Sequence, residues 1–442
     1  MFDVLANRTY RHLFLAQMVA LVGTGLATVA LGLLAYDLAG SNAGAVLGTA
    51  LALKMVAYVV VAPIAGAYAN LVGRRTLLVA LDIGRLAVVL LLPFVDQIWQ
   101  IYVLIFVLQS CSAAFTPTFQ ATIPDVLKRE ADYTKALSLS RLAYDLENLL
   151  SPALAALLLM VISYHGLFLG TAVGFLGSAL LVVSVALPKA PAAAGPTLPF
   201  RRKLGRGMPI YLATPRLRGL LALTLTAAAG SAMVIVNTVV IVRGEFAGAE
   251  RDVALVLAAF GAGSMAAAFA LPRLLERIPD RAVMLFAGVV HIAALVSLGA
   301  LWSMLNGRSL WWTMLIGWCL LGASYAALVT PGGRLLRRSS QEADRPALYA
   351  AQFSLSHVCW LVTYPIAGWV ASKLGIAQSL WALSALATLG VLLAWRFWPS
   401  ADPAELAHEH ADLPPDHPHL STGHAHAHAF VIDDLHARWP DR

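Results

Sequence analysis

Charged side chains are scarce in this chain. Asp, Glu, Lys and Arg make up 12% of the 442 residues, whereas soluble domains carry about 25% charged residues. Hydrophobic residues make up 59% of the chain, and the mean hydropathy is +0.74. This composition excludes an ordinary soluble protein and predicts an integral membrane protein.

Cysteine is also rare, and two kinds of motif are missing. Cys111, Cys319 and Cys359 all lie in apolar segments, which excludes a disulfide framework and a zinc-finger spacing. The chain contains no Gly-Lys-Ser or Gly-Lys-Thr phosphate loop that could use ATP, and no segment combines a nucleophile with a base. We therefore predict that the chain is not an enzyme and holds no permanently bound cofactor.

Apolar segments of about 20 residues recur along the chain, and each is long enough to cross a hydrocarbon core of about 30 Å as a helix. They are continuous rather than alternating, which favours helices. The first segment is too long for a signal peptide and lacks a small-residue cleavage site. We predict an all-α membrane protein with twelve spans, at residues 12–37, 43–69, 76–95, 98–122, 137–163, 166–187, 216–242, 252–272, 282–303, 309–332, 346–372 and 375–398.

Three short sequence patterns recur in the second half of the chain. Thr116-Pro117 returns as Thr330-Pro331, Glu130-Ala131-Asp132 as Glu342-Ala343-Asp344, and Ser151-Pro152-Ala153, in altered form, as Tyr364-Pro365-Ile366. The offsets are 214, 212 and 213 residues, so the three repeats are nearly in register. Such a repeat predicts two pseudo-symmetric six-helix halves, with substrate and coupling ions bound between them near the midplane.

The predicted halves are residues 1–187 and 216–398. A cytoplasmic linker at 188–215, rich in Pro, Ala and basic residues, joins them. Residues 399–442 form a tail for which we expect no fixed structure.

Basic residues are unevenly distributed between the two sides of the predicted membrane. Of the 31 Lys and Arg residues, 24 lie on the side of the N-terminus, linker and tail, and 4 lie on the other side. By the positive-inside rule, both termini are cytoplasmic. The net charge of +7 therefore reflects topology, and we expect contact with membrane lipid and not with nucleic acid.

A polar, doubly basic turn at residues 66–75 separates the second and third spans. Its Gly, the polar residue four positions later and the Gly-Arg-Arg that follows resemble the corresponding loop of the major facilitator superfamily. That family usually has Asp-Arg where this chain has Asn70-Leu71, so the acid that latches the gate is missing. The predicted gate residues, including nearby charges, are Gly66, Asn70, Gly73, Arg74, Arg75, Asp82, Arg85 and Arg141. We expect Asp82 and Arg85 to form a charge network with Arg74, Arg75 or Arg141.

The fifth span carries the densest set of polar residues, and an ionisable group inside a membrane needs a partner, a cavity or a function. Arg141 and Asp145 are four residues apart and can pair. Glu147 lies about 200° round the helix from Asp145. We predict that Glu147 is a proton or cation site, and Asp145 and Asn148 of the same span are further candidates for transport or proton coupling. The alternative is a carboxylate held at a helix interface by hydroxyl groups or by Lys54.

Three polar residues in other spans are further candidates. His357 stands within one residue of the repeat position of Asp145, and imidazole is a ligand that Ni, Co, Cu and Zn accept; a hydrogen-bonded packing residue is the alternative. Asn237 is a candidate oxygen ligand facing a cavity. Lys54 lies mid-span, where it suits an anionic substrate or an acidic partner.

The tail has a distinct composition. Its last 42 residues hold 8 of the 12 histidines, with 8 acidic and 2 basic residues. Alternating histidines are typical of metal-binding segments, although an idle, solvated tail or a pH-responsive tail is also compatible with the pattern. The predicted metal ligands are His408, His410, His417, His419, His424, His426 and His428. With so many interchangeable ligands, the tract does not specify which metal binds.

These features together resemble bacterial nickel-resistance exporters of the NreB type, in a branch similar to enterobactin exporters. The resemblance rests on Asn7-Arg8-Thr9-Tyr10-Arg11, residues 66–75, the Asp82 and Arg85 pair, Thr116-Pro117, Ser151-Pro152 and the histidine-rich end. It implies proton-coupled efflux of Ni²⁺, and of Co²⁺, across the bacterial inner membrane. Glu147, Asp145 or His357 would be protonated in exchange, and we expect a monomer.

Two alternatives remain open. The chain could export drugs, siderophores or other organic compounds, with the tail incidental. It could also be a metal sensor that signals through its tail without transport. The two-half repeat and the twelve spans favour a transporter.

Overall fold

The computed structural model describes most of the chain. The described residues are 2–68, 73–129, 132, 136, 139–140, 143, 151, 154–155, 157–187, 200–341, 344–402, 405–409, 425–428, 430–433, 435–436 and 438–439. Several predicted site residues lie outside them, namely Asn70, Arg141, Asp145, Glu147, Asn148, His410, His417, His419 and His424.

The first half contains five described helices, and the second contains nine. The first five are α1 (Arg8–Ala39), α2 (Ala43–Tyr68), α3 (Arg74–Leu91), α4 (Ile98–Val126) and α5 (Tyr164–Val183). The others are α6 (Phe200–Ala213), α7 (Pro215–Val240), α8 (Glu250–Leu275), α9 (Asp280–Trp302), α10 (Gly307–Val329), α11 (Gly332–Arg338), α12 (Arg345–Pro365), α13 (Ala371–Leu374) and α14 (Ile376–Phe397). Short 3₁₀ turns cover Phe2–Ala6, Gly40–Asn42 and Leu92–Phe94, and π-helical turns cover Ile241–Glu245 and Ile366–Val370.

The predicted all-α membrane fold is confirmed. All the predicted spans except the fifth correspond to described helices, and most of the fifth lies outside the described residues. Nine stretches of the described chain are long and apolar enough to cross a membrane, and the first of them, Arg8–Val61, includes α1 and most of α2. The second half of the predicted linker folds as α6.

Local sequence signals define several helix ends. Asn7 caps α1, since its side chain accepts a hydrogen bond from the Tyr10 backbone N at 3.0 Å. Gly40 ends the same helix with a φ of 53°, a conformation that glycine adopts without steric cost. Pro215 occupies the start of α7, where a missing backbone N–H costs no hydrogen bond.

The two halves repeat the same packing. In the first half, α1 packs on α5, α2 packs on α4, and α3 packs on both α4 and α5. In the second half, α7 packs on α14, α8 packs on α10, and α9 packs on both α10 and α14. Because corresponding spans make corresponding contacts, the architecture agrees with the repeat in the sequence.

The hydrophobic core shows where the halves meet. We call the face that carries the N-terminus, α6 and the tail the tail side, and the other face the opposite side. Toward the opposite side, one buried cluster includes residues of both halves, among them Leu34, Leu47 and Ile241. On the tail side, the described residues form two further clusters, one around Tyr10 in the first half and one in the second half. The halves are therefore closed against each other at the opposite side.

Three glycines bring α2 into backbone contact with the end of α12. A Cβ atom on Gly368 would lie 2.0 Å from the Gly44 carbonyl oxygen, and one on Gly48 would lie 2.6 Å from the Tyr364 carbonyl oxygen. Gly44 and Gly48 are four residues apart, the small-residue spacing that lets membrane helices approach closely. We call this contact, formed by Gly44, Gly48 and Gly368, the glycine seam.

Two hydrogen bonds flank the glycine seam. The Ala45 backbone N donates to Ser372 Oγ at 3.1 Å, and Trp369 Nε1 donates to Thr49 Oγ1 at 3.1 Å. The seam coincides with the π-helical turn Ile366–Val370, and such turns are frequent at functional sites. The contact combines close packing with few hydrogen bonds.

Helix α6 lies against the second half. A Cβ atom on Gly207 would lie 2.0 Å from the Ala347 carbonyl oxygen of α12, so these two backbones also touch. The Tyr211 hydroxyl donates to Gln352 Oε1 of α12. The linker is therefore attached to the same helix that forms the glycine seam at its far end.

The described residues of the tail include two paired strands and a buried apolar group. Leu406–Glu409 (β1) pairs antiparallel with Ala425–His428 (β2). Phe430 and Ile432 are buried in the hydrophobic cluster of the second half, with Trp439 packed beside them. These apolar residues follow the histidine tract in the sequence. They are few, so the composition of the tail as a whole is polar and does not indicate that they are buried.

We predict that Gly368→Ala opens the glycine seam, because the new methyl group would overlap the Gly44 carbonyl. The measurement is oxidative cross-linking of Ala45→Cys with Ser372→Cys in a chain whose three native cysteines are replaced by serine. Cross-linking should fall at least several-fold. Gly177→Ala is the control, since its Cβ would contact Val19 at an ordinary 3.5 Å within the first half. Equal cross-linking in the Gly368 variant and its parent would contradict the prediction.

Candidate gate and transport site

Each half has an ion pair that joins its third helix to the end of its fourth span. Arg74, the first residue of α3, pairs with Asp125 near the end of α4. Asp280, the first residue of α9, pairs with Arg334 of α11 at 2.9 Å. The two pairs occupy corresponding places with opposite polarity. Sequence reasoning identified Arg74 but missed its partner, because the two residues are 51 positions apart.

Asp82 and Arg85 form the predicted ion pair inside the first half. Ser178 Oγ of α5 donates to Asp82 Oδ2 at 2.7 Å. The Arg85 guanidinium lies over the rings of Phe115 and Phe175, at 4.2 and 4.6 Å from their centroids. Cation–π contacts and hydrogen bonds offset part of the cost of burying these charges. The ion pair, with its contacts to Ser178, Phe115 and Phe175, joins α3 to α4 and α5.

Two of the three arginines predicted to extend the network around Asp82 and Arg85 make other contacts. Arg74 contacts Asp125 instead, and Arg75 Nη2 donates to the Val183 backbone carbonyl. Arg141 lies outside the described residues. The basic turn therefore contacts the ends of α4 and α5, because these helices end on the same side of the first half.

The glycines of the predicted gate lie at helix ends. Gly66 is in the last turns of α2, and Gly73 precedes the first residue of α3. Asn70 falls in the undescribed segment between them.

His357 lies where α12 meets α2. Its ring stacks on Tyr58 of α2 with a centroid distance of 5.1 Å, and its Nδ1 is 2.6 Å from the Phe353 backbone carbonyl. A carbonyl can only accept, so Nδ1 carries the proton and Nε2 of the neutral ring is the acceptor. Lys54 is close enough to act electrostatically on the ring. The structure therefore brings together two of the predicted transport residues, one from each half.

A small cavity of about 10 Å³ lies beside Lys54 within the first half. It is lined by residues of α1, α2, α4 and α5, including Thr24, Thr28, Gln109 and Ser112. Gln109 Oε1 is buried and has no hydrogen-bond partner among the described residues. A solute with an N–H or O–H group could satisfy it. Sequence reasoning missed Gln109, and an amide in an otherwise apolar fourth span was the available signal.

Asn237 of α7 lies at the glycine seam. Its Nδ2 donates to the Ala367 backbone carbonyl at 3.0 Å, and a Cβ atom on Gly44 would lie 2.8 Å from its Oδ1. The residue is fully buried. Its location thus differs from the cavity-facing position expected for it, because α7 and the end of α12 pack together at this level. The Gly-x-x-x-Gly spacing of Gly44 and Gly48 was a signal for this contact.

Asp402 attaches the start of the tail to two arginines of the second half. Its carboxylate lies 3.5 Å from Arg216 Nη2 and 3.3 Å from Arg338 Nη1. Trp398 Nε1 also donates to it at 3.2 Å. The Arg216 guanidinium lies 4.9 Å from the centroid of the Trp439 ring. Both ends of the tail therefore contact the same buried arginine.

Residues 430–439 form what we call the anchor segment. The Phe430 ring packs on His436 and Trp439, with centroid distances of 4.7 and 5.0 Å. Gln341 Nε2 donates to Asp433 Oδ2 at 2.6 Å. The histidine tract lies between the anchor segment and Asp402. The described residues that flank the tract therefore contact the second half.

The described side chains include no group of three His, Cys, Asp or Glu residues that could hold a metal ion. Of the predicted tail ligands, the structure gives only the backbone of His408, His426 and His428, in β1 and β2. The remaining tail ligands fall outside the described residues.

Comparison with known proteins identifies the family. The Major Facilitator Superfamily profile matches residues 13–227 and again residues 219–431. The Bacillus subtilis (strain 168) protein named Uncharacterized MFS-type transporter YfiS is 32% identical over 125 residues. That match covers 28% of this chain and 30% of the length of its relative.

Several solved transporters have a similar fold. A D-xylose-proton symporter superposes with a TM-score of 0.64 at 13% identity, covering 90% of this chain and 98% of the symporter. The nucleoside transporter NupG gives 0.63 at 14% identity, with 88% and 98% covered. A bacterial homolog of the human lysosomal transporter Spinster, in an inward-facing and unoccupied conformation, gives 0.65 at 12% identity, with 89% and 98% covered.

At these identities the structural likeness shows the fold and leaves the substrate open. The profile covers both halves of the chain, and the helices pack in two corresponding sets. This chain belongs to the Major Facilitator Superfamily.

Proposed function

We propose that this chain exports a divalent transition metal, Ni²⁺ and with it Co²⁺, from the cytoplasm in exchange for protons. The observation that carries the metal assignment is the attached tail. Asp402 and the anchor segment contact the second half on both sides of the histidine tract. A tract held in this way can supply ions to the tail-side end of the transporter.

In the proposed cycle the two halves open alternately to the two sides of the membrane. The tail side is cytoplasmic, in a bacterial inner membrane, and the protein works as a monomer. An ion enters between the halves from the tail side, and opening of the glycine seam releases it at the opposite side. Protons taken up at Glu147, Asp145 or His357 on that side return to the cytoplasm.

Lys54 has a defined role in this proposal. Its positive charge disfavours a second positive charge on the neighbouring His357 ring, because like charges repel strongly where the dielectric constant is low. A proton or metal ion on His357 is then held weakly, as release to either side requires. Asn237 joins α7 to the seam and acts on opening, with no direct contact to the ion.

A second candidate substrate is an organic anion. Lys54 supports it, because a mid-span ammonium group suits an anionic solute, and the small cavity beside it would have to widen as the halves open. On this candidate the histidine tract has no part in transport.

The first prediction concerns metal content in stressed cells. Cells that produce the chain should hold several-fold less Ni than cells with an empty vector, measured with Co and Zn by mass spectrometry. Replacing the seven tract histidines with asparagine should raise the Ni content partway toward the vector level. This variant keeps Asp402, Phe430 and Trp439, whereas a cut after Trp398 would remove the partners of Arg216.

Equal metal in all three strains, with membrane insertion confirmed, would reject metal export. The same cells would then be tested for extrusion of anionic dyes without added metal. Dye extrusion that is lost in Lys54→Met would support the second candidate.

We also predict that Glu147→Gln abolishes metal resistance, because glutamine keeps the size of the side chain but cannot exchange a proton. Growth on graded Ni²⁺ measures the effect. Glu276→Gln is the matched control, since Glu276 lies just after α8 and outside the transport path. Full resistance in Glu147→Gln would remove that residue from the coupling mechanism.

The two mirrored ion pairs predict a charge-reversal rescue. Arg74→Asp alone places two carboxylates together and should lower the melting temperature by about 6 °C. Loss of a buried partner costs about 3 kcal/mol, and 1 kcal/mol corresponds to about 2 °C in a domain of this size. Adding Asp125→Arg recreates the polarity of the Asp280 and Arg334 pair. The double variant should recover most of the loss in a thermal-shift measurement, and no recovery would mean that the pair does not fasten α3 to α4.

A further inference from the structure

His291 is a buried histidine of α9 that the proposed cycle does not use. Its side chain is fully buried, and its Nδ1 lies 2.7 Å from Ser324 Oγ of α10. Ser324 Oγ donates its own proton to the Leu320 backbone carbonyl at 2.7 Å, so it accepts from Nδ1. Nε2 of the neutral ring is therefore the acceptor, and it has no hydrogen-bond partner among the described residues. The ring thus keeps one nitrogen that can bind a proton.

The position of His291 corresponds to that of Arg85 in the first half. Each residue lies 11 positions after the first residue of its helix, α9 or α3. Arg85 is a permanent cation and pairs with Asp82. The residue of α9 that corresponds to Asp82 is Gly288, which carries no charge. The second half therefore places a group that can gain and lose a proton where the first half has a fixed ion pair.

Gly230 of α7 lies against the unpartnered side of the His291 ring. A Cβ atom on Gly230 would lie 2.0 Å from His291 Nε2, so glycine is what allows α7 to approach so closely. A proton on Nε2 would add a charge and a second N–H donor, and a buried charge without a partner is costly. Close packing of α7 on α9 therefore favours the neutral ring. Separation of the two helices at this level would let water reach Nε2 and stabilise the protonated ring.

The charged groups of the packed helices stand away from His291, which lies in the middle of α9. They lie near the ends of α7, α8, α9, α10 and α14, and are Arg216, Arg218, Glu250, Arg251, Asp252, Arg273, Asp280, Arg281, Arg308 and Arg396. The other ionisable side chains of these helices are Cys319 and Tyr325 of α10, and Tyr325 packs on Phe260 and Trp360. The described carboxylates of these helices are all in first turns. None of them is placed to neutralise a proton on His291 while the helices are closely packed.

Helix α7 connects this contact with the glycine seam. Asn237 lies seven residues after Gly230, about two helical turns further along α7. Its Nδ2 donates to the Ala367 backbone carbonyl at the seam. A shift of α7 away from the His291 ring therefore moves the residue that joins this helix to the seam. Protonation of the ring and opening of the seam then favour each other, since two events that stabilise the same state are linked.

We propose that His291 is a second proton-binding site, in the second half, and that its occupancy is coupled to the glycine seam. The ring is neutral while α7 packs against it and the seam is closed. When the seam opens, α7 separates from α9 and Nε2 binds a proton that enters from the opposite side. Closure restores the contact with Gly230 and releases the proton toward the tail side. The proposal rests on the proton coupling of the proposed function and does not require the solute to be a metal.

The test observes the seam directly and needs no substrate. Spin labels are attached at Ser41→Cys and Lys373→Cys, exposed positions of the two halves next to the seam, in a chain whose native cysteines are replaced by serine. Pulsed electron paramagnetic resonance gives the distances between the labels in the full chain in detergent. Samples are prepared from about pH 8 to about pH 5, a range that brackets the ordinary histidine pKa of about 6.5. The population with the longer distance should rise several-fold in acid, because the open state binds the additional proton.

The main variant is His291→Asn. The asparagine amide nitrogen can replace Nδ1 as the donor to Ser324 Oγ, but the side chain gains no proton in this pH range. The acid-induced rise should therefore fall to a small part of that in the parent. His12→Asn is the matched control, since its Nδ1 also lies 2.7 Å from a backbone carbonyl, that of Arg8, at the start of α1. This variant should respond to acid as the parent does.

Gly230→Ala is an independent variant that keeps His291. Its methyl group would overlap Nε2, so the longer distance should be populated several-fold more than in the parent already at about pH 8. The elution volume of each variant reports whether it is folded. An unchanged acid response in folded His291→Asn would overturn the proposal, and so would an equal loss in His12→Asn. If the Asn variant does not fold, parental distances in Gly230→Ala would overturn it. Ni content in cells tests metal export separately, so either proposal can fail while the other stands.

Discussion

The bilayer requires every backbone polar group of this chain to find its partner within the protein, so its spans are helices. Lipid also removes the hydrophobic drive that brings helices together in water, which leaves close packing to hold the halves. The glycine seam of Gly44, Gly48 and Gly368 provides such packing at the opposite side. Few hydrogen bonds accompany it, so the contact can open without leaving many buried groups unpaired. The seam is therefore suited to a gate that forms and breaks in every cycle.

The described buried ion pairs of the first half join helices within that half. The Asp82 and Arg85 pair is buried inside the first half, and Arg74 with Asp125 joins two helices of that half. Such pairs are costly to separate, so they keep a half rigid while it moves as a unit. His357 and Lys54, which we propose take part in transport, lie elsewhere. His357 stacks on Tyr58 across the contact between the halves, next to Lys54, where a change in charge can act on their relative position.

The tail adds a second level of organisation. Its polar composition predicts a chain without fixed structure, yet Phe430 and Trp439 pack on the second half and Asp402 pairs with two of its arginines. The residues that flank the histidine tract are therefore attached to the second half, and the metal binding that we propose for the tail can be measured separately from transport through the core. Lys54 keeps an organic anion in consideration as the second candidate substrate, since it places an ammonium group inside the first half.

The sequence by itself determined the membrane class, the positions of the spans, the two-half repeat and the ion pair of Asp82 with Arg85. These follow from hydropathy, spacing and helical periodicity, which act over short stretches of chain. Tertiary structure alone decided that Arg74 pairs with Asp125, that Asn237 lies at the seam and that the tail is anchored. Each of these contacts joins residues that are far apart in the chain. Helix packing brings them together, and no local sequence pattern shows how the helices pack.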